Sequence, residues 1–533
     1  MSSPLIMKNG RIWTADPQRP WAEAVAVSGE TIVAAGSNEE AERQAGNSAR
    51  IKDLEGAFVC PGFIDSHTHF VDGALTLSGI QLRDADSKEE FIRRFQRTVE
   101  KIQPGEWIRH GDWDHQNFDP PCLPSREWID PFTPDNPVCV TRMDKHMVLV
   151  NSAALKIAGI GRRTPDPEGG VIDRDPRSGE PTGILKDGAM PLVFRHIPDP
   201  TLEERMKAVC SGLKHAHSRG LTSMHDMSGI PDYKVFQELE RQNRLSGRFC
   251  VYLPISQIDS VMEFVNASRP GTNRLKFGGL KGFADGSLGS FTALFFDPYT
   301  GRPGSRGIMA PDMFPEGSMQ ERLLAAERAG IQAAVHAIGD KANHIILNMF
   351  EHIMQSGGKR DRRWRIEHAQ HLIPEDIPRF GKLNVIPSVQ PYHAIDDGRW
   401  AESKIGPLRS KTSFAFGSLF RSGAVPAFGS DWPVAPLDPL AGIYAAAARK
   451  TLDGKNPGGW IPEEIVSLEE ALKAYTIHAA YAEFAEDTKG SITPGKLADL
   501  VVLDQDVFAV PPGDIRSVNV VMTLCGGEVV YQS

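Results

Sequence analysis

Residues 61–70 read Pro61-Gly62-Phe63-Ile64-Asp65-Ser66-His67-Thr68-His69-Phe70. The segment belongs to an apolar run that begins at Phe58, and near its end two histidines stand one residue apart. In a strand, residues i and i+2 face the same side, so His67 and His69 point together and Thr68 points away. Neutral imidazole is the commonest metal ligand, and two on one face can chelate a borderline cation such as zinc. A pair of solvated histidines at a strand end is the other reading, and the segment alone leaves both open.

The rest of the chain supplies the partners and, with them, the fold. Apolar β-type runs at 220–225, 249–254, 275–283, 332–336, 365–368, 384–389 and 424–429 alternate with helix-like segments at 202–218, 319–329, 341–356 and 467–480. This βαβα rhythm over such a length predicts a parallel sheet closed as a (β/α)8 barrel. His336 ends the run Ala333-Ala334-Val335-His336, His368 ends Arg365-Ile366-Glu367-His368, and Asp431 ends Ala427-Phe428-Gly429-Ser430-Asp431. A barrel carries its active site at the C-terminal ends of its strands, where these side chains fall. Any one of them would pass as an ordinary polar residue at a strand end, but their recurrence on successive strands points to a metal centre. Lys281 lies in Leu280-Lys281-Gly282-Phe283, again near a strand end. Burying an ammonium is costly, so this lysine must be paired, deprotonated or modified, unless it lies at the surface.

The ends differ from the middle. Short strands flank Asn9-Gly10, Ser28-Gly29-Glu30 and Gly526-Gly527, each read as a hairpin turn. Hairpins alone are marginal, so both ends are expected to pack as one discontinuous β-sandwich, from residues 1–60 and 486–533. The barrel domain then spans 61–485, with a turn-rich insertion at about 79–198 after its first strand.

Composition narrows the function classes. The chain has 533 residues, a net charge of −9, 41% hydrophobic and 24% charged residues. These values suit a soluble globular protein and argue against nucleic acid or an anionic membrane as partner. No apolar run reaches the roughly 18 residues of a membrane helix, and the start lacks a signal-peptide pattern. The six cysteines are scattered without a Cys-x-x-Cys pair. They are expected as buried free thiols in a reducing, cytoplasmic setting.

His67-Thr68-His69, Lys281, His336, His368 and Asp431 occur in the order found in the amidohydrolase superfamily. The phrases PGFIDSHTHF, 283–290 (FADGSLGS), 429–434 (GSDWPV) and 494–500 (PGKLADL) resemble its amidohydrolase family 3 branch, which includes N-substituted formamide deformylases. The likeness covers nearly the whole chain. It implies that Lys281, carboxylated by carbon dioxide, bridges two divalent metals, with zinc the expected ion. His67, His69 and Asp431 would bind one ion, and His336 and His368 the other. It also implies a homodimer. The chain departs from the family at Gly282, where a bulky aliphatic residue is usual; this implies a looser strand or added room for substrate, or a single-metal site.

The chemistry so implied is hydrolysis of a non-peptide carbon–nitrogen bond in a small-molecule amide, with Asp431 as general base and then acid. Deamination or ester or lactone hydrolysis at a single metal is the alternative, and a silent binding or regulatory protein on the same fold is a third reading. His146, Trp113, Phe283 and Asp285 are the expected substrate contacts; for His146 a structural hydrogen bond, and for Asp285 an orienting or capping role, stay open. Asp114 and His225 are further candidates. Phe70, Phe291, Phe295, Phe296, Tyr392 and Trp432 would line an apolar pocket, if they are not core residues.

Overall fold

The computed structural model describes residues 3–533 apart from 121, 143–146, 168–169 and 269–270. Eight parallel strands are hydrogen-bonded in chain order. They are β1 (Phe63–Thr68), β2 (Leu221–Met227), β3 (Arg248–Pro254), β4 (Leu275–Phe283), β5 (Ala333–Ala337), β6 (Arg365–His368), β7 (Ile386–Val389) and β8 (Ala427–Phe428). A parallel bridge between Thr68 and Trp432, together with Asp431 N–H donating to His67 O at 2.7 Å, brings the end of β8 against β1. The sheet is therefore the expected barrel. Its strands are largely buried along their length, which is why they read as continuous apolar runs rather than alternating ones.

Two compact units divide the chain, residues 1–70 with 213–533 and residues 71–212. The first holds the barrel and both chain ends. Phe58–Pro61 pairs antiparallel with Leu500–Leu503, so the two ends share a six-stranded sheet. A four-stranded sheet contains Thr31–Gly36, Ala24–Ser28, Leu5–Lys8 and Arg50–Asp53. Met7 and Val25 from this sheet and Val59, Leu500 and Leu524 from the other share one apolar core, which makes the pair a sandwich.

Two of the three expected hairpin turns are present. Ala24–Ser28 pairs with Thr31–Gly36, and Val520–Cys525 pairs with Glu528–Gln532 across Gly526-Gly527. Those two glycines hold φ of 60° and 75°, the left-handed pair that a tight two-residue hairpin requires. Asn9-Gly10 is different, and the expected hairpin is corrected here. Leu5–Lys8 lies in the four-stranded sheet and Arg11–Trp13 in the six-stranded one, so this dipeptide turns the chain from one sheet into the other.

The phrase 494–500 owes its position to a buried ion pair. Asp499 accepts from Arg248 Nε at 2.7 Å, from Arg248 Nη2 at 2.8 Å and from Gly526 N–H at 2.7 Å. Arg248 opens β3, so the pair ties the terminal sheet to the barrel. Asp499→Ala would strand a buried guanidinium and should cost about 3–5 kcal/mol of stability, read by chemical denaturation. Burial raises the Asp499 pKa, but Arg248 outweighs it and the net shift is downward. A carboxyl with a lowered folded pKa stabilises above its unfolded value of roughly 3.9 and loses that contribution as pH falls through the folded value. The gap between wild type and variant should therefore narrow below about pH 4.

The 71–212 unit is a folded body, wider than the turn-rich insertion expected at 79–198. Its six-stranded sheet includes Ile108–Trp113, Val138–Arg142 and Met147–Val150, and Phe91 and Phe95 of helix Lys88–Val99 share its core. Cys60, Cys139, Cys250 and Cys525 are buried free thiols as expected, whereas Cys122 is exposed and Cys210 half-buried. No helix among the described residues is long and apolar enough to cross a membrane.

Candidate metal centre

Three predicted ligands converge at the C-terminal ends of the barrel strands. Ligand atoms of His67 on β1, His368 on β6 and Asp431 after β8 all lie within 4.8 Å of one another. His69 Nε2 stands 3.4 Å from Asp431 Oδ1, and His67 Nε2 stands 3.5 Å from the same oxygen. The His336 and His368 rings have centroids 4.5 Å apart. The compact trio thus joins His368 to the His67–Asp431 pair, across the division of ligands that the resemblance implies.

The local backbone explains how so many side chains reach one point. His368 and Asp431 hold φ of 75° and 60°, a left-handed conformation uncommon for residues other than glycine. Such residues cost of order 1–3 kcal/mol each, and a surrounding structure must hold them. The turn at His368 breaks strand alternation, so Glu367 and His368, consecutive in sequence, both face His67. Gly429 matters for the same reason. A Cβ there would meet His67 N at 2.5 Å and Asp65 Oδ1 at 2.8 Å, so only glycine lets β8 approach β1 this closely.

Hydrogen bonds fix the tautomer of each ring. His67 Nδ1–H donates to Glu367 Oε2 at 2.5 Å, because a carboxylate can only accept, and this turns the Nε2 lone pair toward the trio. His368 Nδ1–H donates to Gln390 Oε1 at 2.7 Å, which presents Nε2. His336 Nε2–H donates to Gly286 O at 3.0 Å, so His336 offers Nδ1 instead. Glu367 is held in turn by Arg365, whose Nε donates to Oε1 at 2.8 Å. Both side chains are wholly buried.

The electrostatics suit a cation. Burial would raise the Asp431 carboxyl, but the hydrogen bond from His69 and the neighbouring histidines hold it well below the usual carboxylate range. Burial pushes His336 down to about 3 and His368 well below its ordinary value, which keeps both rings neutral and able to ligate. Burial also lowers Lys281 to about 8, against the charges of Glu367 and Asp431. Lys281 Nζ and His67 Nε2 are shielded from solvent with no hydrogen-bond partner among the described residues. An orphaned ligand atom within the His–His–Asp trio and a second orphan on Lys281 fit a bound divalent ion, since burying such groups unpaired is costly.

The remaining predicted residues divide. Phe283 is 40% exposed and lies near the centre, its ring 5.3 Å from that of His336 and 4.3 Å from Lys281 Nζ. Asp285 is corrected from substrate contact to positioning residue. Its carboxylate accepts from Leu294 N–H at 2.7 Å, Ile338 N–H at 3.0 Å and Gly339 N–H at 2.8 Å, tying together the loops that follow β4 and β5. Trp113 is also corrected: it is buried in the core of the 71–212 unit and its indole N–H donates to Val140 O at 2.9 Å. His146 lies outside the described residues. His225 accepts from Arg365 Nη1 at 2.9 Å, and Asp114 pairs with Arg142 at 2.8 Å. Phe70, Phe295 and Trp432 are core residues rather than pocket lining. The room expected at Gly282 is taken up, since a Cβ there would meet Ile255 Cγ2 at 2.8 Å and Met319 Cε at 3.1 Å.

The partners that set the tautomers, Glu367 and Gln390, escaped the sequence reading, and so did His393. Gln390 and His393 follow the run 384–389, so the rule that found the ligands would have found them too.

Comparison with known proteins shows relatives along nearly the whole chain. The sequence model described as "Amidohydrolase family" matches residues 50–531. The chain is 40% identical to Protein LONG AFTER FAR-RED 3 of Arabidopsis thaliana, over 99% of this chain and 91% of that protein. It is 26% identical to an N-substituted formamide deformylase of Arthrobacter pascens, over 99% of this chain and 98% of that enzyme. The crystal structure of an uncharacterized metal-dependent hydrolase from Pyrococcus furiosus superposes with a TM-score of 0.78 at 31% identity, covering 96% of this chain and all of that one.

Proposed function

The chain belongs to the amidohydrolase family, and from that premise we propose that it is a metal-dependent hydrolase that cleaves a non-peptide amide bond of a small molecule. The observation that carries this reading is the convergence of His67, His368 and Asp431, with His67 Nε2 of the trio and Lys281 Nζ both buried without a hydrogen-bond partner among the described residues. A divalent ion held there, zinc being the expected one, would lower the pKa of a water to about 7 and polarise a carbonyl.

The protein's own groups do the rest. Asp431 is a carboxylate beside the reacting water; it takes the proton as the water adds to the acyl carbon and passes it to the leaving nitrogen. Glu367 and Gln390 keep His67 and His368 in the tautomers that ligate. The amine and a carboxylate depart. The relative that is an N-substituted formamide deformylase makes N-formyl and N-acyl amines the first substrates to test.

The number of ions follows from two opposing features. The compact trio favours one ion. The unpartnered amine of Lys281, lowered to about 8 by burial, favours a carbamate: the ammonium gives up one proton, the free Nζ bonds to the carbon of carbon dioxide and releases a second, and a buried cation becomes an anionic ligand. Elemental analysis of protein purified without chelator, alongside Lys281→Ala and His67→Ala, separates the two. About two ions per chain, falling in both variants, supports the bridge. About one ion, unchanged in Lys281→Ala, removes the carbamate. No ion in any sample, after zinc and bicarbonate are supplied, overturns the metal reading.

A further inference from the structure

His393 is a third orphan in the same place. It is the third residue of helix Pro391–Asp397, which follows β7 directly. Its ring lies nearly parallel to that of His368, at 13° and 6.4 Å between centroids. Burial lowers its pKa, and the charge of Asp431 works against that. Yet His393 does not join the clustered ligand atoms.

Its Nε2 is shielded from solvent and has no hydrogen-bond partner among the described residues, a condition it shares with His67 Nε2 and Lys281 Nζ. His225 Nε2 also lacks a hydrogen-bond partner among the described residues, but it faces the Glu483 carboxylate at 3.3 Å, and other structural histidines are satisfied. His217 bonds Leu221 O at Nδ1 and Ser246 Oγ at Nε2, each at 2.9 Å, and His371 bonds Ser413 Oγ at 2.7 Å. An unmet buried polar atom costs about 1–3 kcal/mol, so His393 Nε2 is a liability to the fold unless a partner visits it.

We propose that His393 contacts the substrate, its Nε2–H donating to the oxygen of the acyl group that is hydrolysed. That oxygen gains negative charge as water adds, so the hydrogen bond strengthens in the transition state without a proton changing hands. The same donor holds an oxygen of the carboxylate product. The inference rests on the hydrolase reading above, and its test is built to fail separately.

Zinc-loaded wild type, His393→Phe and His393→Gln are compared; Phe keeps the ring without a donor, and Gln returns an N–H at similar reach. Binding of formate and benzoate is measured by isothermal titration, and kcat and KM on the best N-acyl amine. His393→Phe should keep its zinc and thermal midpoint, bind the carboxylates about tenfold more weakly, and lose about 10²–10³-fold in kcat with little change in KM. His393→Gln should recover at least about tenfold of that loss. If no amide is turned over but carboxylate binding falls in Phe and returns in Gln, the contact stands and amide hydrolysis does not. The proposal is overturned if the carboxylates fail to bind wild type or bind the Phe variant equally well. It is also overturned if that variant loses zinc or Gln does no better than Phe.

Discussion

Asp431→Asn lowers kcat by about 10²–10⁴-fold at saturating zinc, the range expected for loss of a general base. The substitution is nearly isosteric and leaves the backbone hydrogen bond from Asp431 N–H to His67 O untouched, so the left-handed turn at φ 60° survives. What changes is the charge. In wild type the hydrogen bond from His69 and the neighbouring rings outweigh burial and keep this carboxyl ionised, so it is ready to accept a proton at neutral pH. The amide of Asn can neither take that proton nor deliver it to a leaving nitrogen. Steady-state kinetics with metal content measured on the same samples checks the assignment. If activity returns to wild-type levels once zinc is restored, Asp431 is a ligand only and the base lies elsewhere.

The second large effect is expected at a residue that acts on the trio through Glu367. Arg365 is wholly buried and makes hydrogen bonds to Glu367, His225, Tyr252, Ser66 O and Ser388. Arg365→Met removes all of them and leaves Glu367 a buried carboxylate without the guanidinium that neutralises it. Breaking a buried pair from one side typically costs about 3–5 kcal/mol. Arg365 and its neighbours hold the Glu367 pKa below the usual carboxylate range in spite of burial. Without Arg365 that carboxyl is expected to take up a proton, and a carboxylic acid, which can donate as well as accept, no longer fixes the His67 tautomer. The expected result is therefore double: a loss of that size in denaturant unfolding, and metal affinity weakened by about 10–100-fold, as for other lost outer partners of a ligating histidine. A variant that unfolds earlier but binds zinc as tightly as wild type would confine Arg365 to packing.

The contrast between Asp431 and Arg365 marks what could be read from sequence. Asp431, His67, His336 and His368 each end an apolar run, and strand periodicity with the location of barrel active sites suffices to nominate them. Arg365 and Glu367 sit inside such a run, where a charged residue reads as an inconsistency. Their meaning lies in the contacts of Glu367 with His67 and of Arg365 with Ser66 O, about 300 residues away in sequence. Likewise, nothing local distinguishes Asn9-Gly10 from a hairpin turn, because which sheet the next strand joins depends on Phe58–Pro61, its neighbour in space.

Sequence by itself determined the alternation of elements, the barrel, the union of the two ends and the side chains that meet at the strand tips. These follow from periodicity and residue chemistry, which act over a few neighbours. Tertiary structure alone decided which nitrogen of each histidine is free, that Glu367 and His368 face one point, that Trp113 is core, and that His393 is left without a partner. Those outcomes depend on hydrogen bonds and left-handed backbone turns. Both are set by groups distant in the chain, and a hydrogen bond exists only when its two ends come within about 3 Å.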